Sequence, residues 1–86
     1  MYLIGNWKMK GERRFVSSHL QSLRALVEQA APPQSSHGLT LIQCPPALWL
    51  IPASEALAGS SIALGAQDCH GEAYGAYTGD ISAPML

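Results

Sequence analysis

Charged side chains are scarce in this chain of 86 residues. Asp, Glu, Lys and Arg together make up 13% of it, about half the share usual in a soluble domain. The net charge is -1 with His neutral, and there is neither a basic cluster nor an acidic tail. Nucleic acid and membrane surfaces are therefore not expected as partners. The two Cys are too few to staple a small secreted domain. No apolar run approaches the ~20 residues that span a bilayer. Residues 1–9 lack a cationic start, an apolar core and a small-residue cleavage site, so no signal peptide is expected there. A reducing cytoplasmic setting fits these absences. Hydrophobic residues nonetheless make up 48%, which suits a segment buried inside something larger.

Several chemistries are missing as well. Gly65, Gly71, Gly75 and Gly79 form neither G-x-G-x-x-G nor a P-loop, so no nucleotide cofactor is expected. Cys69-His70 beside Asp68 invites a metal reading, but adjacent residues rarely converge on one ion. No C-x-x-C or H-x-x-x-H spacing supports it, and no metal is expected. Ser17, Ser18 and His19 are not a nucleophile arrangement, because adjacent helical residues fan apart. His19 and His37 are expected to be solvated or packed.

What is present is a strand-helix alternation. Met1 to Asn6 reads as a strand and Gly11 breaks the chain. Glu12 opens a helix, as an acidic residue in the first turn, where the helix dipole favours it. Val16, Leu20, Leu23, Val27 and Ala30 recur at 4-3-4-3 spacing and make one apolar face, widened by Phe15 and Leu26. Ala31-Pro32-Pro33 stops the helix, and 35–38 is linker. Leu39 to Cys44 is a second strand, mostly apolar, as strands covered on both faces are. Pro46 can start a helix. Ala47 to Leu50 and Ala53 to Ala58 read helical, with Pro52 splitting or kinking the run. Ile62 to Gln67 is a third strand with small residues, which suggests tight packing.

This order implies a parallel sheet. Residues 68–82 form a loop long enough to need a functional reason. Ser82 to Leu86 then looks like the start of a helix, with Ser82 as cap and Pro84 in the first turn. The chain is expected to be the first part of a longer sequence, truncated at the start of that helix.

Chemistry enters at Gly5-Asn6-Trp7-Lys8-Met9. Alternation along a strand puts Asn6 and Lys8 on one side and Trp7 on the other. A Lys at the C-terminal end of a parallel strand sits where α/β folds place ligands, and it suits something anionic. Trp7 and Trp49 are expected to pack between sheet and helices.

The run Asn6-Trp7-Lys8-Met9 resembles the first-strand end of the triosephosphate isomerase family. Gln43-Cys44-Pro45-Pro46 looks like its second strand end. Gly65-Ala66-Gln67-Asp68-Cys69 and 75–82 look like its third strand and the loop that follows. Lys10 stands where the family often has Asn, and Tyr77 where Phe is also common.

The resemblance implies an α/β fold, the (β/α)8 barrel. This chain would supply strand, helix, strand, helix, strand and the next loop as one N-terminal segment, 1–86. It also implies interconversion of dihydroxyacetone phosphate and glyceraldehyde 3-phosphate through an enediol, without cofactor. Lys8 would be the electrostatic catalytic residue, and Asn6 and Lys8 would bind the triose phosphate; Gln67, ending the third strand at the same rim, is either a hydrogen-bonding support for them or a plain strand-end polar residue. The family's catalytic His and Glu lie on later strands and have no counterpart here, so residues 1–86 alone are expected to be inactive. A homodimer is implied through the loop, with Tyr77, Thr78, Gly79 and Asp80 docking and Met9 lining the receiving pocket. The alternative is a non-catalytic fragment or interaction remnant of the same fold; a third reading is another phosphate-binding barrel.

Overall fold

Five residues of extended chain, Tyr2–Asn6, form the first strand, β1, of a three-stranded sheet. The computed structural model describes residues 1–30 and 38–86. The expected helix stop at Ala31-Pro32-Pro33, most of the linker and His37 lie outside the described residues. After β1 come helix α1 (Arg13–Ala30), strand β2 (Thr40–Cys44), a 3-10 turn (Ala47–Trp49), helix α2 (Leu50–Leu57) and strand β3 (Ala63–Leu64). The sheet order is β1-β2-β3 and both pairings are parallel. Register runs from Tyr2 beside Thr40 to Asn6 beside Cys44. The N-terminal ammonium closes the far end, donating to the Gly38 carbonyl at 2.8 Å.

The apolar spacing of α1 explains the core. Val16 and Leu20 are completely buried and pack with Ala53 and Leu57 of α2 and with Ile62. Leu23 and Val27 continue that face, while Leu41 and Leu64 meet it from the sheet. Burying a side chain such as Leu20 contributes about 2 kcal/mol or more. The stripe is narrower than expected: Phe15 and Leu26 are largely exposed and so is Ala30. One flank of α1 meets α2 and the sheet; on the other, Phe15 meets the Trp7 ring and Leu26 stays open.

Four local expectations change. Glu12 precedes the helix instead of standing in its first turn, and its carbonyl accepts the Val16 N–H at 3.1 Å. The break in the second helical run falls earlier than Pro52. Pro46 starts the 3-10 turn, α2 begins at Leu50, and Pro52 sits in its first turn, where an N–H would have no intrahelical acceptor anyway.

The third strand is short. Beyond Leu64 one further bond, from the Gly65 N–H to the Gln43 carbonyl at 2.9 Å, extends the ladder before side chains take over. At the chain's end the N–H groups of Met85 and Leu86 do turn back to the Ser82 carbonyl. The Ser82 hydroxyl, however, is buried without a hydrogen-bond partner among the described residues, so it caps nothing. No described helix is long and apolar enough to cross a membrane.

Candidate functional site

Past the end of β1 the backbone enters the left-handed region at Lys8, with φ 55°. That conformation costs an L-residue roughly 1–2 kcal/mol, and it persists only where neighbours over-determine it. The neighbours are identifiable. Asn6 Oδ1 accepts the Lys8 N–H at 2.8 Å. The Lys8 carbonyl accepts from Gln67 Nε2 at 2.9 Å, and the same amide donates to the Cys44 carbonyl at 2.9 Å. The Trp7 N–H reaches that Cys44 carbonyl too, at 3.1 Å. One side chain from the end of the third strand thus ties together the ends of the other two.

This corrects the simple alternation argument. The left-handed turn takes Lys8 off the strand pattern, so period-two reasoning stops at Trp7. What Asn6 holds is the backbone N–H of Lys8. Among the described residues Lys8 has no ion pair. An unpaired ammonium beside the strand ends of a parallel sheet can receive an anion.

Trp7 packs between sheet and α1 as expected. Its ring stands edge-on to Phe15 and His19, with centroids 5.6 and 5.5 Å away, and His19 stacks on Phe15 at 4.7 Å. Its indole Nε1 donates to Gln43 Oε1 at 3.0 Å. Trp49 Nε1 donates to the Gly11 carbonyl at 3.0 Å. Gly11 has φ 104°, and a Cβ there would come within 3.1 Å of the Trp7 ring, so only glycine suits the position. Both indoles therefore brace the segment that carries Lys8. The sequence reading missed Gln43 as a partner. The available signal was a polar residue inside an otherwise apolar strand.

Residues 68–82 close on themselves. The His70 N–H donates to the Ile81 carbonyl at 2.8 Å, and His70 and Ser82 form an isolated bridge. Inside the loop the His70 ring lies on Tyr77 at 3.9 Å, its Nδ1 accepts the Glu72 N–H at 2.9 Å, and its Nε2 is 3.6 Å from the Asp80 carboxylate. The outer surface stays open: Tyr74 is 88% exposed, Tyr77 48% and, across the β1 turn, Met9 97%. Thr78, Gly79 and Asp80 are exposed as well.

None of the loop's hydrogen bonds among the described residues reaches Asn6 or Lys8. A cavity of about 180 Å³ lies between loop and α2, lined by Leu50, Gln67, Asp68, Asp80 and Ile81 among others, and neither Asn6 nor Lys8 lines it. Cys44 is buried, Cys69 exposed, and both are free thiols. Among the described residues no three of His, Cys, Asp and Glu converge as a metal site.

Comparison with known proteins covers the whole of this geometry. The family profile described as "Triosephosphate isomerase" matches residues 1–86. The triosephosphate isomerase of Granulibacter bethesdensis is 46% identical over 84 residues, which is 98% of this chain and 32% of that protein. That of Afipia carboxidovorans is 45% identical over 84 residues, 98% of this chain and 31% of the relative. A crystal structure of triosephosphate isomerase from Bartonella henselae superposes with a TM-score of 0.80 at 38% identity, over 99% of this chain and 31% of that one. The chain thus spans about a third of the length of these relatives. Its parallel sheet and two helices match the N-terminal βα units of a (β/α)8 barrel.

Proposed function

Because this chain belongs to the triosephosphate isomerase family, we propose that residues 1–86 are the N-terminal segment of a barrel enzyme that interconverts dihydroxyacetone phosphate and glyceraldehyde 3-phosphate. The single observation that carries this reading is the left-handed Lys8, held on its N–H by Asn6 and on its carbonyl by Gln67. Strain kept in place from both sides is characteristic of a functional site.

The chemistry needs such a cation. Enolisation builds negative charge on an oxygen beside an existing phosphate dianion, and a fixed ammonium lowers the energy of both. In this reading Lys8 supplies that charge, Asn6 binds substrate and orients Lys8, and Gln67 positions both. The proton-transferring His and Glu come from later strands. No cofactor takes part, and the setting is the cytoplasm.

The loop 68–82 is the dimer element of the same proposal. Exposed tyrosines on a self-closed loop, facing outward, suit insertion into a second subunit. Tyr77 would be the anchor, Thr78 would meet Asn6 of the partner subunit, and Gly79 and Asp80 would line the contact. Met9 adapts readily to an inserted ring and would line the receiving pocket.

The test is turnover. The full-length protein should isomerise triose phosphates. Lys8→Ala should lose about a hundredfold or more in kcat/KM, the scale of a lost oxyanion donor. A folded full-length protein without turnover would favour the non-catalytic remnant. Near-normal kcat/KM in Lys8→Ala would overturn the role of this residue.

A further inference from the structure

We infer that Gln43 is a positioning residue: its side-chain carbonyl, bonded to the Trp7 indole, fixes the turn on which Asn6 and Lys8 are mounted. This rests on the reading of Lys8 as the substrate-binding cation.

Gln43 is 7% exposed and stands among Leu41, Ile42 and Cys44. A buried amide costs stability unless its polar atoms are paired, and an apolar residue would fill this strand position without that cost. Both polar atoms are paired here. Oε1 accepts from Trp7 Nε1 at 3.0 Å and Nε2 donates to the Ile42 carbonyl at 3.3 Å.

The partner strand leaves room for the amide. Gly5 is the residue opposite Gln43, and a Cβ there would stand 2.6 Å from Nε2 and 2.9 Å from Oε1. Any other residue at position 5 would push the amide off its bond to the indole. Gly5 and Trp7 share one face of β1, so the amide passes over the bare Gly5 to reach the ring.

Trp7 is consequently held twice by consecutive residues of β2. Cys44 takes its backbone N–H and Gln43 takes the tip of its ring. Phe15, His19 and Gly11 pack the ring but offer its N–H no acceptor; the bond to Gln43 supplies one and adds a directional hold. With Trp7 fixed at main chain and ring, the peptide leading into Lys8 is fixed as well. Gln67 then holds Lys8 from its far side.

The experiment uses the full-length protein. Gln43→Met keeps the length and removes the acceptor; Gln43→Glu in its neutral form keeps an acceptor in the same place, with the O–H facing the Ile42 carbonyl. Expected for Gln43→Met is a loss of about tenfold or more in kcat/KM, the scale of a small misplacement of a binding group. Faster exchange of the Trp7 indole proton by NMR should accompany it. Gln43→Glu should recover part of both. In a Trp7→Phe background, which has no indole donor, Gln43→Met should cost little further, because the two side chains act as one unit.

Parental kcat/KM in Gln43→Met beside an inactive Lys8→Ala would overturn this inference alone. So would an equal penalty with and without the indole. An active Lys8→Ala would overturn the underlying role of Lys8 and this inference with it. Should Gln43→Met not fold, Trp7→Phe decides, since it removes the same bond from the donor side while keeping an aromatic ring: a loss of about tenfold or more in kcat/KM supports the positioning role, and parental kcat/KM overturns it.

Discussion

The side chain of Gln67 grips the backbone of Lys8: Nε2 donates to the Lys8 carbonyl at 2.9 Å across 59 positions of sequence, and to the Cys44 carbonyl at the same distance. Where the backbone ladder of the third strand has run out, a side chain continues it. Lys8 needs that hold because its left-handed conformation is unfavourable by itself.

Gln67→Leu should therefore disturb function more than stability. Each lost bond is worth about 1 kcal/mol, and less for the exposed one to Lys8 than for the half-buried one to Cys44. The melting temperature of the full-length protein should fall only slightly. Its kcat/KM should fall about tenfold as the Lys8 carbonyl is released. Steady-state kinetics beside a thermal melt checks both, and unchanged turnover would show that Lys8 holds its place without Gln67.

Two substitutions at Lys8 separate strain from chemistry. Both Lys8→Gly and Lys8→Ala remove the ammonium and should abolish most turnover. Glycine visits φ near +55° freely, so Lys8→Gly should be more stable than Lys8→Ala by about 1 kcal/mol. Denaturant midpoints give the comparison. Equal stability would mean that the left-handed turn is not present in solution.

Residues 1–86 by themselves should show no isomerase activity and poor solution behaviour. Tyr2, Leu3 and Ile4 are 71%, 59% and 58% exposed, and among the described residues β1 has β2 as its one strand neighbour. Bare strand edges and apolar faces favour association. Dye binding and sedimentation should report exposed apolar surface and self-association. A monomeric polypeptide with a cooperative melt and measurable turnover would contradict this.

Deleting 72–79 from the full-length protein removes Tyr74, Tyr77 and Thr78 and leaves the bridge partners His70 and Ser82 in place. The expected product is a monomer with severely reduced activity. Sedimentation and kinetics that match the parent would remove the loop from the dimer interface.

Gly65→Ala probes how closely the second and third strands approach. A Cβ there would stand 2.7 Å from Cys44 Sγ and 3.3 Å from Ile42 Cγ2. Overpacking of this kind costs about 1–3 kcal/mol. Cys44→Ala removes the closer obstacle, so the double variant should be less destabilised than the two single changes added together. Strict additivity would mean that the backbone simply moves apart.

The sequence by itself determined the parallel βα order, the core stripe and the family. Each follows from local facts: the 4-3-4 spacing that buries Val16 and Leu20, the apolar runs of the strands, and three motifs in the right order. It also singled out Asn6, Lys8 and Gln67. Tertiary structure alone decided how they are joined. A left-handed turn at Lys8 follows from no propensity of lysine: Asn6, two residues before it, takes its N–H, and Gln67, which folding brings from 59 residues away, donates to its carbonyl. Gln43 showed in the sequence only as a polar residue inside an apolar strand; its pairing with Trp7 did not show, since a hydrogen bond between strands has no spacing in the chain to betray it. The short third strand and the self-closed loop belong with it: periodicity records which residues prefer to be buried, whereas the end of a ladder depends on which partner is within reach.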